Sequence, residues 1–160
     1  MDSRGRGRDG GLENRGQGLR IFLDSSVLLA AAGSDAGASR HLFLIATARH
    51  WKLITSEYAV AEVQHNLYKL GGAARDHWDV HLLAGLQIVS DTLVLDKPLS
   101  LLKAKDRPIL ITALTEKCPV LLTLDREDFG PYFEHGVYGM KVMTPGQFLR
   151  EHPPRPISRV

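Results

Sequence analysis

Val120-Leu121-Leu122-Thr123-Leu124 is a run with almost no polar relief, and it stops at Asp125 before passing straight into Arg126, Glu127 and Asp128. A strand without alternation must be buried on both faces, the usual condition of a parallel sheet covered by helices. "LRIFLD" (19–24) has the same form, an apolar strand closed by an aspartate. Such strands confine the chain to architectures in which helices cover a central sheet.

The remaining pattern agrees. Residues 25–33 read as a helix ending at Gly33, 38–50 as a second helix, "WKLITS" (51–56) as a strand, and 57–70 as a helix. That last helix places Val60, Val63, Leu67 and Leu70 on one face before a Gly71-Gly72 stop. Residues 73–86 continue helical, "IVSDTLVL" (88–95) is extended and 107–117 is helical. After the strand at 120–124 come a brief helical turn and "MKVMTPGQFL" (140–149), read as a last strand and turn. Strands alternating with helices predict an α/β fold, a three-layer α/β/α sandwich with a mainly parallel sheet.

A chain of 160 residues has room for one such domain. Residues 1–18 hold six glycines and almost nothing apolar, which predicts a flexible tail; the folded part is 19–150, and the proline-rich 151–160 is a loose C-terminal tail. Its lone cysteine, Cys118, rules out an intramolecular disulfide or a four-cysteine zinc site and suits a reducing cytoplasm. No apolar stretch reaches the ~18 residues of a membrane span, so no membrane partner is expected. A net charge of +2 permits a nucleic-acid partner without requiring one.

In a parallel α/β domain the strand C-termini and helix N-termini share one edge of the sheet, where ligands bind. Asp24 and Asp125 end strands, Asp106 precedes the helix beginning Arg107-Pro108, and Glu62 lies within the first turns of its helix if Ser56 caps it. Thr123 shares the side of Asp125 by the strand period of two. Taken singly, each aspartate is also a favoured helix N-cap, and Glu62 a solvated flank. Asp128 also invites a catalytic role, but in "REDFG" the favoured reading is the cap of the turn in which Phe129 packs. Together the acids repel unless protons or cations neutralise them, and hard oxygen ligands favour Mg2+ or Mn2+. Such an ion supplies the parts of phosphodiester hydrolysis, with Lys103, Lys105, Arg107 and Arg126 placed in sequence to contact RNA phosphates.

"IFLDSSVLLAA", "TSEYAVAEVQHNL", "KDRPILITALTEKCPVLLTLDREDF" and "KVMTPGQFL" resemble, in order and spacing, the PIN-domain ribonucleases. The resemblance covers residues 19–150. It implies a metal-dependent endonuclease acting on single-stranded or structured RNA, with Asp24, Glu62, Asp106 and Asp125 as metal-binding and catalytic acids and Thr123 and Ser26 in support. Ser26 stands where many relatives carry asparagine. Many members of this size resemble VapC-type toxins of toxin–antitoxin pairs, which implies a homodimer silenced by a small antitoxin protein.

Other readings fare worse. His77 and His81 have the i, i+4 spacing of zinc ligands but no glutamate after the first histidine, and an exposed helix face is the simpler reading. Trp51 and Trp78 read as core or interface residues. No phosphate-binding loop, dinucleotide fingerprint or nucleophile elbow is present. A phosphotransferase of haloacid-dehalogenase type expects an aspartate where Ser26 stands. A noncatalytic PIN-like module that binds RNA or protein is the competitor of another class, and it gains nothing obvious from a repulsive acidic cluster.

Overall fold

The computed structural model describes residues 18–99 and 105–154. Lys103, residues 1–17 of the expected N-terminal tail and 155–160 of the C-terminal one lie outside the described residues.

Five strands, β1 (Arg20–Leu23), β2 (Lys52–Ser56), β3 (Leu86–Val89), β4 (Val120–Leu122) and β5 (Lys141–Met143), form one sheet in the order β3-β2-β1-β4-β5. Every pairing is parallel, so the sheet is wholly rather than mainly parallel. β1 is central: Phe22 lies opposite Ile54 of β2 on one side and Leu121 of β4 on the other. Being flanked by strands and covered by helices, Ile21, Phe22 and Leu23 are fully buried, as are Leu121 and Leu122, which explains their unbroken apolar runs.

Between the strands run α1 (Ser25–Gly33), α2 (Ala38–Arg49), α3 (Glu57–Asn66) and α4 (Gly72–His77), then α5 (Arg107–Thr115) and α6 (Gly130–His135), while α7 (Pro145–Glu151) follows β5. The first two crossovers carry the chain outward from β1 to β3, and the next two return it past β1 to β4 and β5. Because parallel crossovers are right-handed, this reversal puts the two sets of helices on opposite faces and gives the three layers. It also makes the gap between β1 and β4 the point where their following loops diverge, the preferred crevice of an open α/β sheet.

Several expected boundaries move. The helix at 57–70 is α-helical only to Asn66; Leu67–Leu70 is a 3-10 turn, and this tighter winding leaves Leu70 exposed while Val63 and Leu67 stay buried. The expected helix over 73–86 becomes α4, a π turn at Trp78–Leu82 and a 3-10 turn at Leu83–Gly85. β3 then begins at Leu86, two residues before the expected strand. β4 ends at Leu122; Leu124 is 44% exposed because the chain has already left the sheet there. The expected final turn is a helix, α7, closed by a capping box in which Thr144 Oγ1 accepts from Gln147 N and Gln147 Oε1 accepts from Thr144 N. Thr144 followed three residues later by Gln147, with Pro145 at the first helical position, is the sequence signature of that start.

Trp78 is fully buried, and Trp51 packs edge-on against Phe148 with ring centroids 5.0 Å apart, so both tryptophans serve packing as expected. Among the described residues no helix is long and apolar enough to cross a membrane.

Candidate functional site

Asp24 leaves β1 still tied to the sheet, its N–H donating to Leu122 O at 3.0 Å. Directly below, Thr55 Oγ1 donates to Leu23 O at 2.8 Å and pins the end of the strand. The backbone carbonyl of Asp24 begins α1, but its carboxylate makes no capping bond. It is held from the side instead: Ser26 Oγ donates to Oδ2 at 2.7 Å and Thr123 Oγ1 donates to the same atom at 2.8 Å. These hydroxyls are themselves positioned, since Ser26 Oγ accepts from Leu124 N at 3.0 Å and Thr123 Oγ1 accepts from Asp125 N at 3.1 Å. Burial raises the Asp24 pKa, and the two hydroxyl donors oppose that rise by bonding to the charged form.

Ser25 links Asp24 to Glu62. Its Oγ lies 3.0 Å from Glu62 Oε2 and 3.5 Å from Asp24 Oδ1; with one proton to give, it donates to the nearer glutamate. Ser56 caps α3 as expected, accepting from Ala59 N at 3.1 Å, and so sets Glu62 within the first turns. Glu62 is half-buried, its pKa raised by burial and by the charge of Asp24, with hydrogen bonds from Ser25 and Tyr58 opposing. Tyr58 is a site residue that sequence reasoning missed, although its i, i+4 position relative to Glu62 was the available signal.

Asp106 differs from Asp24 in its surroundings. Asp106 precedes α5 without a side-chain capping bond, and its buried Oδ2 finds no hydrogen-bond partner among the described residues. Asp125 does cap: its Oδ1 accepts from Asp128 N at 2.9 Å, which shapes the turn that buries Phe129. This corrects the role expected of Asp128. The Asp128 carboxylate is buried, hydrogen-bonds Asp106 and meets Lys105 Nζ at 3.1 Å.

Carboxylate oxygens of Asp106, Asp125 and Asp128 all lie within 4.8 Å of one another. Burial first, then the hydrogen bond and charge of Asp128, push the Asp106 pKa up to about 7. Three acids this close, one with an orphaned buried oxygen, fit a hard divalent cation that takes oxygen ligands. Asp24 and Glu62 belong to the same locus without being in that tight group: the charge of Asp24 acts on Asp106, and that of Asp125 on Asp24.

Of the cations expected near phosphate, Lys105 is held by Asp128, and Arg126 lies over the Phe133 ring, 5.3 Å from its centroid. Arg107 is exposed beside Tyr132, whose ionisation its charge affects. His77 and His81 are neighbours, ring centroids 5.0 Å apart, on the rim of an apolar pocket of about 440 Å³ floored by Phe43, Leu53 and Leu82.

The chain is similar in fold to VapBC2 of Rickettsia felis, solved bound to a DNA fragment from its promoter: TM-score 0.56, 14% identity, 78% of this chain and 97% of that one covered. Mycobacterium tuberculosis VapC20, a sarcin-ricin loop cleaving toxin, gives a TM-score of 0.47 at 15% identity, covering 69% of this chain and 94% of that one. No curated protein matches the sequence. The PIN domain family matches residues 21–130, a span that runs from β1 through Asp24, Glu62, Asp106, Asp125 and Asp128, and the chain belongs to that family.

Proposed function

We propose that the protein is a metal-dependent endoribonuclease that hydrolyses phosphodiester bonds of single-stranded or structured RNA. The observation that carries this reading is the group of Asp106, Asp125 and Asp128, closed to within 4.8 Å and retaining an unpartnered buried oxygen, beside the hydroxyl-held Asp24. Repulsion among these acids is destabilising unless a cation sits there, and a structural role would have been met at lower cost by neutral side chains.

Asp106, Asp125 and Asp128 would hold Mg2+ or Mn2+, with Asp24 facing them. When bound, such an ion supplies a Lewis acid that polarises a phosphate oxygen and acidifies water. The chain's own contribution is orientation and proton handling. Ser26 and Thr123 hold the Asp24 carboxylate in one orientation. Glu62, held by its Ser25 and Tyr58 donors, is placed to take a proton from an attacking water. Lys105, already against Asp128, exchanges that partner for phosphate when a cation neutralises the acids. This exchange also accounts for a lysine beside a cation site.

The likeness to VapBC2 supports a wider reading, that the protein is the toxin of a toxin–antitoxin pair, a homodimer silenced by a small antitoxin. The first test is cleavage of a mixed single-stranded RNA pool with Mn2+, Mg2+ or EDTA, beside Asp24→Asn and Asp106→Asn. Metal-dependent cutting lost in both variants supports the nuclease. Wild-type protein that neither cuts RNA nor binds Mn2+ overturns it in favour of a noncatalytic binding module.

A further inference from the structure

Two cation–ring pairs involve residues in or just after α6. Arg126, next to Asp125, lies over Phe133 at 5.3 Å, and Lys97 Nζ lies over Tyr138 at 5.1 Å. Tyr132 joins them, since its ionisation responds to Arg107, next to Asp106, and to Tyr138. Basic and aromatic side chains are thus paired on and around α6, next in sequence to the acids Asp106 and Asp125. Lys97, Arg107 and Arg126 are all exposed. By contrast, the Arg49 guanidinium over Trp51 is committed to the chain's own carbonyls, donating to Pro153 O at 3.1 Å.

Tyr138 is the unusual member. Val137 and Met140 exchange both backbone hydrogen bonds at 2.9 Å around Tyr138 and Gly139, whose φ angles are 46° and 83°. A two-residue turn with both central φ positive favours Asn-Gly, and a large aromatic at its first position is strained. Burial does not explain the choice, because Tyr138 is 49% exposed. Its hydroxyl donates to Pro98 O, which fixes the ring against the segment carrying Lys97. Strain kept on an exposed aromatic fits a binding role.

We propose that these basic and aromatic side chains form the track of single-stranded RNA entering the acid site, with a base stacked on Tyr138 and successive phosphates on Lys97, Arg107 and Arg126. The proposal rests on the endoribonuclease reading and adds the path of the substrate. Stacking platforms interleaved with cations are how proteins hold single strands without reading sequence, since every base has a π face. Asp96, Glu127 and Glu134 are exposed on the same segments, so the phosphates are held at the individual cations rather than by a broad positive field.

The test is binding of a fluorescent oligouridine, and of an RNA duplex of equal length, to the full chain with Ca2+ in place of Mn2+. Tyr138→Ala should weaken oligouridine binding by about 5- to 100-fold. Tyr138→Phe keeps the ring but not the bond to Pro98, and should bind within about twofold of wild type. Lys97→Ala should reduce the slope of log affinity against log salt by about 0.7. Unchanged binding by Tyr138→Ala overturns the track, as does an equal loss in Tyr138→Phe, which would make Tyr138 only a latch for Pro98, or duplex binding as tight as single-strand binding. Failure of the track alone shows as wild-type cleavage with Tyr138→Ala binding intact; wild-type protein that neither cuts nor binds RNA removes the nuclease reading as well.

Discussion

Asp24 and Asp106 are both buried aspartates at the start of a helix, and neither carboxylate caps it, yet their surroundings are opposite. Asp24 Oδ2 receives two hydroxyl protons, from Ser26 and Thr123. Asp106 Oδ2 receives none, and the neighbours of Asp106 are the further acids Asp125 and Asp128. Each arrangement implies a different task. The Asp24 side is finished by the fold itself, its carboxylate held by two hydroxyls before any cation arrives. The Asp106 side is left incomplete, and its electrostatic cost is what a divalent cation would remove on binding.

The largest expected effect tests whether both sides act as one site. Asp24→Asn should reduce Mn2+-dependent RNA cleavage by about a thousandfold or more, equivalent to roughly 4 kcal/mol of transition-state stabilisation. Retained cleavage would detach Asp24 from the chemistry altogether.

Thr123→Val asks whether the hydroxyls really hold the finished side. It strips a donor from Asp24 and an acceptor from Asp125 N, so about 10- to 100-fold in activity or metal affinity should go. Stability should fall by about 1–3 kcal/mol, measured by urea denaturation. Thr123→Ser should restore most of both, and failure to do so would indicate lost packing rather than a lost hydroxyl.

Asp106→Asn probes the incomplete side. Removing one of the crowded acids should raise the melting temperature in EDTA while abolishing most of the rise produced by Mn2+, which for a site at a hundredfold excess over Kd is about 2.7 kcal/mol. A variant less stable than wild type in EDTA would mean that the acids are not in conflict.

The smallest effect is the dependence on pH. Asp106 titrates near 7 in the folded chain against an ordinary 3.8, so between those values the folded state keeps a proton that the unfolded state releases. Metal-free protein should therefore be more stable at about pH 5.5 than at about pH 8, its advantage fading as pH rises through about 7. Mn2+ binding needs the ionised carboxylate and should strengthen over the same rise. Calorimetry with and without Mn2+ would show whether the two trends cross.

Much of the fold was legible because its determinants are local. Two strands without alternation, each closed by an aspartate, already required a covered parallel sheet, and Ser56 was recognisable as the cap that sets Glu62. Less legible was the stretch from Leu67 to Gly85, whose periodicity looks helical; packing of Trp78 and Leu82 into the core bends it through 3-10 and π turns that no propensity describes. Helix α7 was overlooked although Thr144-Pro145 with Gln147 spelled its start.

Side-chain roles within the site divide in the same way. That Asp24, Glu62, Asp106 and Asp125 reach one edge followed from their positions at strand ends and helix starts, which sequence periodicity alone can order. Which acid caps and which stands among the other acids was a tertiary decision. Asp125 and Asp128 sit three residues apart with identical chemistry, and only the path of the turn burying Phe129 gives the backbone N–H to the first and the company of Asp106 and Lys105 to the second. The same holds for Tyr138, brought onto Pro98 some forty residues away. Periodicity determines which face a residue takes, because it is a property of neighbouring residues. Partnership across the sheet edge depends on distances between segments remote in sequence, and those exist only once the chain has folded.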